Sequence, residues 1–130
     1  IEVAKPTINI NLNEASVLNS NKAYLESIIL NLITNSLKFK SENRALEINI
    51  TASKIGNITT ILFSDNGIGI DLKRNRNKVF GLYQRFHNHS DSRGLGLYLV
   101  KSQVETMGGT IEIESEANKG TTFTLTFKNT

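Results

Sequence analysis

Residues 46–70 read LEINITASKIGNITTILFSDNGIGI, and this stretch decides the fold. Apolar and polar residues alternate over 46–50, which predicts a half-buried strand. Gly56-Asn57 predicts a hairpin turn, and a second strand is expected from about 58 to 64. Two strands joined by so short a turn must run antiparallel. A glycine-punctuated turn, Asp65–Ile70, follows the second strand directly.

The rest of the chain adds a layer of helices to this hairpin. A helix is predicted over 22–39 because one face carries buried-type residues at helical spacing, namely Leu25, Ile28, Ile29, Leu32, Ile33 and Ser36. A second helix is expected from Leu95 to Met107, ended by Gly108-Gly109. Its buried face would be formed by Leu97, Val100, Val104 and Met107.

Short strands account for the remaining segments. One or two are expected within 7–18, and two more at 111–113 and 123–127, joined by a turn at 118–120. Strands do not alternate regularly with helices, which argues against a doubly wound parallel fold. The predicted class is therefore α/β in the α+β sense. It is a two-layer sandwich with a mixed, mainly antiparallel sheet covered on one face by helices.

Composition excludes several classes of function. The chain has 130 residues, a net charge of +3 and no cysteine. Disulfides, thiolate zinc sites and a cysteine nucleophile are therefore excluded. No apolar stretch approaches the roughly 20 residues that a membrane-spanning helix needs, and Glu2 and Lys5 interrupt the charged-then-apolar pattern of a signal peptide. We expect a cytoplasmic domain.

Positive charge is concentrated in one segment. Residues 71–93 carry a net charge of +4 and both histidines, His87 and His89, whereas the rest of the chain sums to −1. A mobile surface loop and a lid that orders on its ligand are both compatible with this composition. Nucleic-acid binding is a weaker alternative because the charge is local and the aromatic residues there suit core anchors better.

In the basic segment, Arg85 and Arg93 could reach the terminal phosphates of a bound nucleotide. Three further groups of residues could carry chemistry. Asn31, Asn35 and Lys38 fall within roughly 60° of arc on the first helix. Their amide oxygens and ammonium group could meet Mg²⁺ and phosphate, or they could form an ordinary solvated face. Asp65 directly follows a predicted strand, where its carboxylate could accept a hydrogen bond from an exocyclic amine. The sequence Asp65-Asn66-Gly67 would also make a tight turn without any ligand role.

The third group is a pair of glycines, Gly94 and Gly96, at the start of the second helix. Exposed backbone N–H groups at a helix start attract anions such as phosphate. No strand is predicted immediately before them and no third glycine follows, so the dinucleotide-binding fingerprint does not apply. The phosphate-binding loop of nucleotide triphosphatases is absent too.

Taken in order, these motifs resemble the catalytic and ATP-binding domain of sensor histidine kinases. The sequence contains Asn-x-x-x-Asn-x-x-Lys at 31–38, Asp-x-Gly-x-Gly at 65–69, Phe-Gly-Leu-Tyr-Gln-Arg-Phe at 80–86, Gly-x-Gly at 94–96 and Gly-Thr-Thr-Phe at 120–123. The resemblance covers essentially the whole chain. It implies the Bergerat ATP-binding fold shared with gyrase and MutL, as a single domain over 1–130 with an ATP lid at about 71–93.

The resemblance also implies roles for individual residues. Asn35 would coordinate Mg²⁺ with Asn31 beside it, Lys38 would contact phosphate, Asp65 would accept from the adenine amino group, and Arg85 would act near the γ-phosphate. Asn35, Lys38 and Arg85 are the expected catalytic residues. Further nucleotide contacts are expected from Gly67, Gly69, Ile70, Arg93, Gly94, Leu95, Gly96, Leu97 and Thr122.

The reaction expected from the resemblance is phosphoryl transfer rather than hydrolysis. Hydrolysing relatives use a glutamate in the position of Asn31, and an asparagine amide cannot act as a general base. The phosphate acceptor would be a histidine on a separate helical dimerisation domain, and a response regulator would act downstream. The sequence lacks an initiating methionine, and we expect that the acceptor domain lies outside it. Without the acceptor histidine the isolated domain would be inactive, and without the dimerisation helices it would be a monomer.

Departures from the family pattern keep a second interpretation open. Ser92 and Arg93 replace the usual glycine and threonine of the glycine motif, Lys40 stands where threonine is frequent, and Asn129 stands where proline is frequent. Because Ser92 and Arg93 lie on the lid and phosphate side of the expected site, a non-catalytic Bergerat domain that binds nucleotide or a partner for regulation is the alternative. Membrane segments and nucleic-acid partners are not expected.

Overall fold

The computed structural model describes residues 5–13, 22–72, 80 and 95–128. Within these ranges the elements follow the order predicted from the sequence. They are β1 (Thr7–Asn11), α1 (Lys22–Lys38), β2 (Glu47–Ile55), β3 (Ile58–Asp65), α2 (Leu95–Thr106), β4 (Gly109–Glu116) and β5 (Gly120–Lys128). Neither described helix is long and apolar enough to cross a membrane.

The strands form one five-stranded sheet in the order β1-β2-β3-β5-β4. β2 pairs antiparallel with β3, β3 with β5, and β5 with β4. β1 pairs parallel with β2, with Ile8 opposite Ile48. The sheet is therefore mixed and mainly antiparallel, as predicted, and its central strand β3 ends at Asp65.

Alternation along the strands separates a buried face from an exposed face. In β5 the buried residues Phe123, Leu125 and Phe127 alternate with half-buried threonines. Their neighbours across the sheet belong to the same core, which contains Ile48, Ile50, Ile61, Phe63 and Ile113. Burial of these side chains is the dominant stabilising term for a fold of this size.

The two helices cover the buried face of the sheet. Ile28, Leu32 and Ser36 of α1 are buried, with Leu25, Ile29 and Ile33 packed partly against the core. Leu97, Val100 and Val104 of α2 are buried too, and Met107 is partly buried beside them. Both predicted helix faces are confirmed, which establishes the two-layer sandwich.

Differences from the sequence prediction lie at element ends. The predicted strands in 7–18 are represented by β1, and residues 14–18 lie outside the described ranges. Asp65 was expected in the turn but is the last residue of β3, because it pairs with Ile48 on one side and Thr121 on the other. This pairing holds its side chain on the helix-facing side of the sheet.

Candidate functional site

The carboxylate of Asp65 is held by two hydrogen bonds at the end of the central strand. The hydroxyl of Ser36 donates to Oδ2 at 2.6 Å, and the backbone N–H of Gly67 donates to Oδ1 at 2.9 Å. Ser36 is buried on α1, whereas Asp65 is half-buried. Each carboxylate oxygen can accept further hydrogen bonds, so Asp65 is oriented and retains acceptor capacity for a ligand.

The register of β5 places Thr121 beside this carboxylate. Thr121 lies directly opposite Asp65 on the neighbouring strand and is 7% exposed. Thr122 lies opposite Ser64, and successive side chains of a strand point to opposite faces of the sheet. The structure therefore brings Thr121, and not the expected Thr122, to the side of the sheet that carries Asp65.

The turn after β3 packs too closely for side chains at its glycines. A Cβ on Gly67 would lie 2.6 Å from the carbonyl oxygen of Phe39. Gly69 has φ +76°, and its added Cβ would collide with the carbonyl oxygen of Glu116. Both glycines are buried, so the turn after Asp65 is fixed between the end of α1 and the β4–β5 hairpin.

A serine on β4 ties this turn to β5. The backbone N–H of Ile70 donates to Oγ of Ser115 at 2.7 Å, and Ser115 donates to the carbonyl of Gly120 at 2.9 Å. Its hydroxyl also lies 2.8 Å from that of Thr121. Ile70 itself is 4% exposed and forms part of the core, so its backbone rather than an exposed side chain shapes the site.

An open cavity of about 330 Å³ adjoins these groups. Asp65, Ser115, Thr121 and Thr122 line it together with Glu114, Glu116, Lys119 and Gly120. Its lining includes hydroxyl and carboxylate groups from three neighbouring strands. Such a set of fixed acceptors and donors is suited to reading the polar edge of a planar ligand.

Asn35 and Lys38 lie in the last turn of α1, and Asn31 lies one turn before Asn35. Asn31 and Asn35 are half-buried, and Lys38 is exposed in the last turn. Ser36 lies next to Asn35 in sequence and contacts Asp65, so the last turn of α1 adjoins the end of β3. Asn35 therefore projects from the helix segment nearest the carboxylate site.

The donor chemistry of this helix end fits Mg²⁺ bound together with phosphates. Over the described part of the chain, no group of three or more His, Cys, Asp or Glu residues could hold a metal alone. Mg²⁺ does not require such a cage, because it keeps several waters and takes one or two protein oxygens beside substrate phosphates. The Asn35 amide oxygen is a ligand of that kind.

Part of the expected site falls outside the described ranges. This applies to the expected site residues Arg85, Arg93 and Gly94. It also applies to the lid residues Phe86, His87, His89 and Ser92. Of the expected lid, Asp71, Leu72 and Phe80 are described; Phe80 packs against the core, with the ammonium of Lys101 5.5 Å from its ring centroid. Leu95 and Gly96 open α2, and Leu97 is 2% exposed within the core.

Sequence reasoning missed four residues that build the site. Ser36 was identified as part of the buried helix face and not as a partner of Asp65. Thr121 could have been found from the alternation of Phe123, Leu125 and Phe127, which places every odd position of β5 on the helix-facing side. Ser115 accepts from the backbone N–H of Ile70, and Arg44, between α1 and β2, donates to the backbone carbonyl of Gly67. Hydrogen bonds to backbone groups leave no residue pattern in a single sequence.

Comparison with known proteins identifies relatives of this chain. Residues 20–130 match the family described as histidine kinase-, DNA gyrase B- and HSP90-like ATPase. The heme sensor protein HssS of Staphylococcus saprophyticus is 35% identical over 115 residues, which cover 88% of this chain and 24% of HssS. The histidine protein kinase SaeS of Staphylococcus aureus is 30% identical over 125 residues, covering 92% of this chain and 35% of SaeS.

Solved structures share the fold. The mycobacterial sensor histidine kinase MprB superposes with a TM-score of 0.72 at 18% identity, covering 95% of this chain and 83% of that one. Full-length ShkA in complex with AMPPNP gives a TM-score of 0.71 at 23% identity, covering 96% of this chain and 26% of ShkA. By the coverages given above, the present chain spans about a quarter of the length of HssS and about a third of the length of SaeS.

Proposed function

Since the chain belongs to the family of histidine kinase-, DNA gyrase B- and HSP90-like ATPases, and its curated relatives include sensor kinases, we propose that it is the ATP-binding catalytic domain of a two-component sensor histidine kinase. It would transfer the γ-phosphate of ATP to a histidine on a separate helical domain. In this proposal residues 1–130 form one domain, with a lid at about 71–93. A response regulator would then take the phosphoryl group from that histidine.

The observation that carries the proposal is the oriented carboxylate of Asp65. Its two oxygens accept from Ser36 and Gly67, and Thr121 lies opposite it on β5. An adenine amino group carries the N–H donors that such an acceptor requires. The adenine role assigned to Thr122 from the sequence passes to Thr121 in this proposal, because only position 121 shares a face with Asp65.

The phosphate side of the proposal rests on α1. Asn35 would supply an oxygen ligand to Mg²⁺, and the bound ion would offset charge on the phosphates during transfer. Lys38, in the last turn of the same helix, would place its ammonium near the phosphate chain. Arg85 would add a second cation from the lid.

The transfer step itself needs no general base from this domain. The free imidazole nitrogen of the acceptor histidine attacks the γ-phosphorus, the bond from phosphorus to the bridging oxygen breaks, and ADP leaves with that electron pair. This chain would contribute binding, orientation and charge neutralisation. The half-buried amide of Asn31, which cannot take a proton from water, agrees with transfer rather than hydrolysis.

The test combines nucleotide binding with phosphoryl transfer. Asp65→Asn loses the charge-assisted hydrogen bond to the amine, so calorimetry should show ATP binding weakened by about 1–3 kcal/mol. Glu112→Gln, which neutralises an exposed carboxylate on β4, is the matched control and should bind ATP as the wild type does. Equal affinity in Asp65→Asn and wild type would refute the adenine role of Asp65.

Transfer is measured by mixing the chain with ATP, Mg²⁺ and a histidine-containing dimerisation domain from the same parent protein. Acid-labile phosphohistidine should form on the added domain and should be absent without it. Intact ATP binding without phosphohistidine formation in this mixture would favour the regulatory, non-catalytic alternative.

A further inference from the structure

Arg44, on the segment between α1 and β2, binds three backbone carbonyls in two different turns. Its Nε donates to the carbonyl of Asn66 at 2.7 Å. Its Nη2 donates to the carbonyls of Gly67 and Asn118, each at 2.8 Å. One guanidinium group therefore joins the turn that follows Asp65 to the turn between β4 and β5.

The same peptide groups make hydrogen bonds in the opposite direction. In a trans peptide the C=O and the following N–H point to opposite sides. The peptide whose carbonyl belongs to Asn66 carries the N–H of Gly67, which donates to Oδ1 of Asp65 at 2.9 Å. Arg44 and Asp65 thus hold the two ends of a single peptide unit.

The next peptide repeats this arrangement. Its carbonyl, on Gly67, accepts from Arg44, and its N–H, on Ile68, donates to the carbonyl of Phe39 at 2.9 Å. Phe39 directly follows α1, so this bond links the turn to the helix that carries Ser36. The rotation of two successive peptides is therefore fixed from both sides.

The hairpin turn is held in the same manner. Asn118 has φ +66°, a left-handed conformation that asparagine tolerates better than most residues. Its N–H donates to the carbonyl of Ile68 at 2.7 Å while its own carbonyl accepts from Arg44. The turn after Asp65 and the β4–β5 turn, whose Lys119 lines the cavity, are consequently fixed by the same side chain.

We propose that Arg44 is a positioning residue for nucleotide recognition, which sets the peptide between Asn66 and Gly67 so that Gly67 orients the Asp65 carboxylate toward the base. Glycine at 67 allows this peptide to rotate, and rotation would turn the Asn66 carbonyl toward the carboxylate in place of the Gly67 N–H. The Nε donor of Arg44 holds the Asn66 carbonyl against that rotation, and the two Nη2 donors fix the guanidinium on the carbonyls of Gly67 and Asn118. Lysine has a single ammonium and reproduces only part of this geometry.

The inference deepens the proposed function and rests on it for the identity of the ligand. Two probes are used: ATP, and purine riboside triphosphate, which lacks the amino group that Asp65 would bind. Wild type should prefer ATP. Arg44→Gln should reduce ATP affinity by roughly tenfold while leaving the affinity for the purine triphosphate unchanged, so the preference is lost. Arg44→Lys should retain part of the preference.

A structural role alone would give a different result. If Arg44 merely stabilised the fold, Arg44→Gln would lower the melting temperature, and the folded fraction would keep its preference for ATP. Lys128→Gln, which removes an exposed cation at the opposite end of β5, is the matched control. An unchanged ratio of the two affinities in both Arg44 variants would overturn the proposal.

Nuclear magnetic resonance separates this inference from the proposed function. The amide proton of Gly67 donates to a carboxylate in the wild type and should change its chemical shift strongly in Arg44→Gln, in the absence of nucleotide. If the wild type binds no ATP, the proposed function fails, and the Gly67 amide still decides whether Arg44 fixes the peptide. A Gly67 resonance that does not move in Arg44→Gln rules the positioning role out.

Discussion

The hydroxyl of Ser36 lies 2.6 Å from Oδ2 of Asp65, across 29 residues of sequence and between the two layers of the fold. Ser36 belongs to the buried face of α1, and Asp65 ends the central strand of the sheet. The contact fixes the position of the carboxylate relative to the helix that carries Asn31, Asn35 and Lys38. In the proposed function, this contact would hold the adenine site at Asp65 and the phosphate site on α1 in a fixed relative position.

Replacing Ser36 by alanine should weaken ATP binding. The carboxylate would lose a hydrogen bond from a neutral donor to a charged group, which contributes about 1.5–3 kcal/mol in proteins. Isothermal calorimetry measures the change. Thr34→Ala is the matched control, because that hydroxyl bonds to the Leu30 carbonyl on the exposed side of the same helix. If both variants bind ATP equally well, Ser36 does not orient the carboxylate.

The register of β5 makes opposite predictions for two adjacent threonines. Thr121→Val removes the hydroxyl opposite Asp65 and should reduce ATP affinity by roughly fivefold to tenfold. Thr122 also lines the cavity, but it lies opposite Ser64 and not Asp65, so Thr122→Val should leave the ATP affinity as it is. Titration of both variants, with melting temperatures to confirm folding, checks the assignment. A loss confined to Thr122→Val would restore the expectation drawn from the sequence.

Asn35→Ala should remove the dependence of nucleotide binding on Mg²⁺. Without its amide oxygen the ion loses a protein ligand, whereas the contacts of Asp65 to the base persist. We expect phosphoryl transfer to fall by roughly tenfold or more, with binding of ATP in EDTA unaffected. Titrations with and without Mg²⁺ measure this. Asn57→Ala, in the exposed turn between β2 and β3, serves as control; a Mg²⁺ response that survives in Asn35→Ala contradicts the assignment.

Alanine substitutions at Gly56 and Gly69, which both have positive φ, distinguish the stability cost of backbone strain from that of steric collision. At Gly56, with φ +59° and no atom within 4 Å of an added Cβ, alanine should cost about 1–2 kcal/mol from the left-handed conformation alone. At Gly69, with φ +76°, the Cβ also meets the backbone of Glu116 and Ala117. The loss of unfolding free energy should therefore be larger, above about 3 kcal/mol, and ATP binding should weaken too. Urea unfolding of both variants measures the difference, and equal losses would show that the turn can move away from the hairpin.

Much of the fold could be predicted because hydrophobic periodicity reports burial directly. The helical spacing of Ile28, Leu32 and Ser36 and the alternation of Phe123, Leu125 and Phe127 both appear in the structure as buried faces. The parallel pairing of β1 with β2 could not be specified, since residues 7–11 carry no information about which strand they join. Pairing of that kind depends on distant segments.

The candidate site was less accessible to sequence reasoning for a different physical reason. Asp65 and the glycines at 67 and 69 were identified because their residue types are informative by themselves. Ser36 looked like a core residue, and its hydrogen bond depends on how α1 is placed against β3. Arg44 bonds to backbone carbonyls that any residue could provide, so no pattern of side chains marks it.

The pairing of Thr121 with Asp65 depends on the hydrophobic core, because burial of the core residues of β5 fixes its register against β3. Two threonines follow Gly120, so a shift of β5 by one position along β3 would still present a hydroxyl beside the carboxylate. The same shift would turn Phe123, Leu125 and Phe127 to the solvent face, since the side-chain period of a strand is two. The shifted register is therefore less stable, because it exposes aromatic and aliphatic surface, and this holds in the absence of nucleotide. The core residues of β5, which are not among the proposed nucleotide contacts, therefore determine which threonine lies beside Asp65.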